Sequence, residues 1–129
     1  MAACISCNSP AAVPSSLRFA DATVESAIGF RHTNGATGNY NYPETFGAGV
    51  AWLDADSDGW LDLYFIDGGS LAPDENPAQT SAAKNRLYRN MLGDGRAGFE
   101  DVTDQTNAAG QGYGMGVASA DVDANGEVD

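Results

Sequence analysis

Two short runs of acidic and amide side chains carry the chemistry this sequence offers. Asp54, Asp56, Asp58 and Asp62 stand at positions 1, 3, 5 and 9 of a nine-residue run; Asp121, Asp123, Asn125 and Asp129 hold the same positions in a second. Every donor is an oxygen, and carboxylates at alternate positions of a tight turn suit a hard cation that takes many oxygen ligands, above all Ca²⁺. In each run a glycine at position 6, Gly59 or Gly126, permits a bend that a Cβ would resist. The main-chain carbonyls of Trp60 and Glu127, at position 7, are expected to add one oxygen each. Asn125 replaces the carboxylate of Asp58, which lowers the ligand charge of the second site by one and predicts weaker binding there.

An EF-hand opens in the same way, but it needs a bidentate Glu at position 12 and flanking helices. Counted from Asp54, position 12 is Phe65, inside an apolar run, and counted from Asp121 it lies past the last residue. The acid falls at position 9 instead, which fits a compact loop between two strands.

The loops belong to a longer repeat. Residues 47–62 return as residues 114–129 at a constant offset of 67, with eight of sixteen positions identical, so the acidic spacing is duplicated in register. Charge agrees with cation binding. The chain has 129 residues and a net charge of −12, and 8 of its 18 acids lie in the two runs, where they repel one another unless a cation fills them. Two Ca²⁺ would bring −12 to −8. With only 6 Lys and Arg the chain is unsuited to nucleic acid or to an anionic membrane surface. No apolar run is long enough for a transmembrane helix.

The elements that must hold these loops read as strands. Val50–Leu53 enters the first loop and Leu61–Ile66 leaves it. Residues 86–91 alternate polar and apolar as a half-buried strand does, and a Leu92–Gly95 turn leads to a return strand over 98–102, a β-hairpin. Leu17–His32 suggests short strand-like runs with Phe19, Val24, Ile28 and Phe30 inward, followed by a turn at Asn34-Gly35. Residues 67–84 are expected to be a long surface loop, and Trp52, Trp60, Tyr64 and Phe65 to be core. Residues 1–18 read as a leader or linker, either an unstructured and chemically idle segment or the remnant of a signal with Cys4 as a candidate lipid anchor. The class is all-β.

Phe46-Gly47 before Val50-Ala51 and the Asp54–Asp62 loop resembles the FG-GAP repeat of integrin-α-like β-propellers, also called the VCBS repeat. More narrowly, the runs at 30–35, 43–49, 85–90 and 99–103 look like the cartilage-acidic-protein/ASPIC–UnbV group. The resemblance spans about residues 19–129 and implies a β-propeller with Ca²⁺ in its blade loops, secreted or surface-exposed. Propellers need about four to eight blades. Two repeats then make this an N-terminal stretch of a longer chain whose remaining blades complete the ring.

Function follows as an expectation: a non-enzymatic, calcium-stabilised extracellular or cell-surface module that binds a protein or glycan. One alternative is the propeller part of a secreted enzyme acting on polysaccharide, for which a cleft with two carboxylates of unlike pKa is the mark. Another is a truncated product without function. The single histidine, His32, reads as structural or exposed.

Overall fold

The computed structural model describes residues 18–71 and 84–128. Its centre is a four-stranded antiparallel sheet in chain order: β1 (Val50–Leu53), β2 (Asp62–Phe65), β3 (Arg86–Asn90) and β4 (Phe99–Asp101). All four coincide with the strands expected from the sequence, to within a residue or two at the ends. The all-β class is therefore observed, with regular helix limited among the described residues to short turns: α1 (Thr23–Ser26), α2 (Thr103–Thr106) and two 3₁₀ turns.

Register decides which side chains share a face. Trp52, Leu63, Tyr88 and Asp101 pair across the sheet in one row, and Ala51, Tyr64 and Leu87 form the next row on the opposite face. The two central strands carry most of the buried apolar set: Leu63, Leu87 and Tyr88 from the strands, with Ile66 and Met91 just beyond their ends; Val102, after β4, completes it. Phe30 stacks on Phe65 with centroids 4.8 Å apart, and Tyr88 meets Phe65 edge-on at 5.7 Å. β1 closes the sheet on one side and is thinly covered. Trp52 approaches Phe99 at 6.3 Å yet stays 56% exposed, and Trp60 is 46% exposed, so neither tryptophan is the core residue the strand pattern suggested. Alternation places a side chain on a face but does not supply the layer that covers it.

The β3–β4 hairpin turns as its sequence implies. Asn90 ends the strand and caps a 3₁₀ turn over Met91–Asp94 by accepting the Leu92 N–H at 3.1 Å; Gly95 then takes the left-handed conformation. The Met91 N–H donates to the Gly98 carbonyl at 3.0 Å and closes the base. Beyond β4, Thr103 is fully buried, with its hydroxyl accepting the Leu87 N–H at 2.9 Å. Thr103→Val keeps the shape and orphans that amide, so it is expected to lower stability by about 2 kcal/mol in a urea melt.

Two expectations are corrected. Leu17–His32 contains no strand among its described residues. Asp21 accepts both the N–H and the hydroxyl of Thr23, at 2.9 and 2.6 Å, which nucleates the helical turn α1 in place of extended chain. Phe19 and Val24 are consequently 96% and 88% exposed, whereas Phe30 does reach the core. The connection after β2 also departs from a surface loop at its start, because Asp67, Gly68 and Gly69 are buried. Most of that connection, 72–83, and the leader through residue 17 lie outside the described residues.

At the buried start of the connection, residues 32–43 and residues 113–114 meet. The Thr33 N–H donates to Asp67 at 2.6 Å, the Gly69 N–H to the Thr33 carbonyl at 3.0 Å, and the Gly114 N–H to the Asp67 carbonyl at 3.1 Å. His32 Nδ1 lies 3.3 Å from the same carboxylate, which gives the single histidine a structural partner. Tyr113 donates to the carbonyls of Asn34 and Pro43 at 2.9 and 3.2 Å. Gly35, at φ +63°, is buried in this junction, and a Cβ there would overlap the Gly69 carbonyl oxygen. Gly35→Ala combines backbone strain with that overlap and is expected to remove about 2 kcal/mol of stability. Chemical denaturation of wild type and variant checks it, and equal midpoints would contradict the junction.

Candidate metal centre

β1 ends where Asp54 turns the chain, and β2 begins at Asp62, so pairing of the two strands fixes both ends of the acidic loop. Between them the carboxylates fold the backbone around themselves. Asp54 accepts the Asp58 N–H at 3.0 Å through one oxygen and the Gly59 N–H at 2.9 Å through the other. Asp56 accepts the Asp58 N–H at 3.3 Å, and Asp58 accepts the Trp60 N–H at 2.8 Å. Left-handed turns at Ser57 (φ 58°) and Gly59 (φ 88°) aim these groups inward.

One oxygen from each of Asp54, Asp56 and Asp58 lies within 4.8 Å of the others. Two ligands on opposite sides of a Ca²⁺ are about 4.8 Å apart, so the spacing fits one hard cation. The donor set is all oxygen, as such a cation requires. Asp58 Oδ2 is itself buried and accepts no hydrogen bond, although the side chain as a whole is 20% exposed. A buried carboxylate oxygen without a hydrogen bond favours positive charge beside it, and the nearest one among the described residues is Arg89 Nη2 at 3.5 Å.

Asp62 is placed differently. It is 1% exposed, and its oxygens accept the Asn90 N–H at 2.8 Å and the Ala55 N–H at 3.0 Å. It thus fastens the loop to β3. Burial pushes its carboxyl above the usual range; those two N–H groups pull it back, and the negative charges of Asp56 and Asp58 push it up further. Trp60, the other residue expected to contribute from this loop, is positioned through its N–H on Asp58.

The second loop repeats the first bond for bond. Asp121 accepts the N–H groups of Asn125 and Gly126 at 3.0 and 2.8 Å, Asp123 accepts that of Asn125 at 3.1 Å, and Asn125 accepts that of Glu127 at 2.7 Å. Its left-handed residues are Ala124 (φ 59°) and Gly126 (φ 92°), the counterparts of Ser57 and Gly59. Its setting differs, since residues 114–120 make no ladder and the loop is exposed. Asp129 lies outside the described residues.

Arg89, on β3, was not singled out by sequence reasoning, yet it closes over the first loop. Its Nε donates to Asp56 Oδ2, Nη2 lies 3.5 Å from Asp58 Oδ2, and Nη1 lies 3.4 Å from Asp94 Oδ2. Asn90 beside it donates from its side chain to the Leu61 carbonyl at 3.0 Å. No local spacing announces either residue, because only the β2–β3 ladder brings them to the loop. Comparison with protein-family models, with curated proteins and with solved structures gives no match.

Proposed function

We propose that the chain is a calcium-stabilised binding module in which Asp54, Asp56 and Asp58, with Asp62 and the Trp60 carbonyl, hold one Ca²⁺. Asp121, Asp123, Asn125 and Asp129, with the Glu127 carbonyl, hold a second. The observation that carries this reading is the repeated loop: two runs 67 residues apart make the same four backbone-to-side-chain hydrogen bonds around inward oxygens. The ion's role is structural. A cation bound by the folded chain and not by the unfolded one adds stability by mass action, and millimolar calcium outside cells suits sites of modest affinity.

The finer architecture is part of the proposal. A four-stranded antiparallel meander with an acidic loop between its first two strands is what one blade of an FG-GAP/VCBS-type propeller would be, and exposed Val50 and Trp52 on β1 supply a face for a neighbouring blade. The module would act at the cell surface or outside the cell on a protein or glycan partner. The enzymatic alternative gains less support. A cleft of about 400 Å³ is lined by Asp56 and Asp62, but Arg89 holds the first carboxylate and two backbone amides hold the second.

Terbium luminescence tests the metal reading site by site. Trp60 sits in the first loop and its counterpart in the second is Glu127, so tryptophan-sensitised emission reports the first loop. Saturable emission that Ca²⁺ displaces, lost on Trp60→Phe while calorimetry still detects binding, is the expected result. A folded chain with neither emission nor calcium heat would sink the assignment.

A further inference from the structure

We infer that Arg89 is the built-in counterion of the first acidic loop: it stands in for a cation in the cation-free chain and is the positioning residue that sets the loop's metal affinity. Three carboxylates from two separate segments converge on one guanidinium, Asp56 and Asp58 from the loop and Asp94 from the 3₁₀ turn after β3. Among the described residues no ion pair reaches Asp121 or Asp123 in the second loop, whose backbone geometry is the same. The difference follows composition. The first loop offers four side-chain carboxylates as ligands and the second three, the extra one being Asp58 where the second has Asn125. Asp58 is one of the carboxylates that Arg89 faces, so the arginine stands where the first loop carries the ligand charge that the second lacks. Like-charged oxygens held this close repel, and the partly exposed Arg89 relieves that repulsion at Asp56 and Asp58.

The metal arm of this inference rests on the cation reading above, and the cation-free arm does not. For the full chain, Arg89→Met is expected to raise terbium and calcium affinity at the first loop about tenfold. That is the order of effect of removing one positive charge that contacts two of the ligand carboxylates, in near-aqueous dielectric. A residue that merely supported the loop would lower affinity when removed, so the sign discriminates. In chelator, the same variant is expected to speed amide exchange at Asp58 and Gly59 about tenfold and leave Asn125 and Gly126 unchanged. Arg89→Lys, which keeps the charge and loses the fork, is expected to hold affinity within about threefold of wild type. Unchanged or weaker binding by Arg89→Met overturns the inference, as does a tenfold gain in Arg89→Lys. Should neither protein bind cation, the metal reading fails by itself, and exchange in chelator decides: protection of Gly59 unchanged by Arg89→Met overturns the counterion role. Should Arg89→Met not fold, the lysine variant carries the same test.

Discussion

Asp54→Ala is expected to lower cation affinity at the first loop by at least about a hundredfold, more than any other single ligand substitution. Two effects combine. The substitution removes one of three converging carboxylates, frees the Gly59 N–H and leaves the Asp58 N–H only its longer contact to Asp56. The loop then loses its fold as well as its charge. Asp56→Ala removes a ligand with one long backbone contact, and it should weaken binding less. Calorimetric titration of the two variants ranks them, with Trp60-sensitised terbium emission as the readout specific to the loop. Asp121→Ala is the matched substitution in the second loop and should leave terbium emission intact. If Asp54→Ala and Asp56→Ala weaken binding equally, the loop-organising role assigned to Asp54 is wrong.

Asp62→Ala is expected to produce the largest loss of stability, about 3 kcal/mol, or roughly 10 °C in melting temperature for a domain of this size. The carboxylate is buried and joins the Ala55 N–H in the loop to the Asn90 N–H on β3. Alanine orphans both donors. Part of that loss is offset, since a desolvated charge near Asp56 and Asp58 disappears too. Asp62→Asn separates these contributions. It removes the charge, retains one acceptor and turns an NH₂ toward the other donor, so its melting temperature should fall between wild type and alanine. Melts in chelator measure the structural part, and repeating them with calcium adds any contribution of Asp62 as a ligand. An alanine variant as stable as wild type in chelator would overturn the fastening role.

The strands were legible in the sequence because their signals are local. Val50–Leu53 is a short apolar run and Arg86–Asn90 brackets the buried pair Leu87-Tyr88 with polar residues, and both end at residues that favour turns. The acidic loops were legible for the same reason: the four bonds that curl residues 54–60 and 121–127 each span five residues or fewer, so spacing alone implies the turn. Leu17–His32 misled because one short-range contact, Asp21 to Thr23, outweighs a weak apolar pattern. Asp62 was expected only as a ligand. Its second role depends on Asn90, 28 residues away, which no spacing rule reaches.

The division follows the range of the interactions. Composition and periodicity by themselves determined an acidic, strand-rich chain with two oxygen-lined turns in register, since each of those features is written within a few consecutive residues. Only the tertiary structure decided which cation-like group the first loop already faces. Arg89 becomes its neighbour when β2 pairs with β3, and 33 residues separate it from Asp56 in the chain. Only the tertiary structure decided that Trp52 and Trp60 remain exposed and that Asp67 is buried where Thr33 and Gly114 meet it. Burial depends on what lies across a face, which is a property of the assembled sheet and is absent from any window of its sequence.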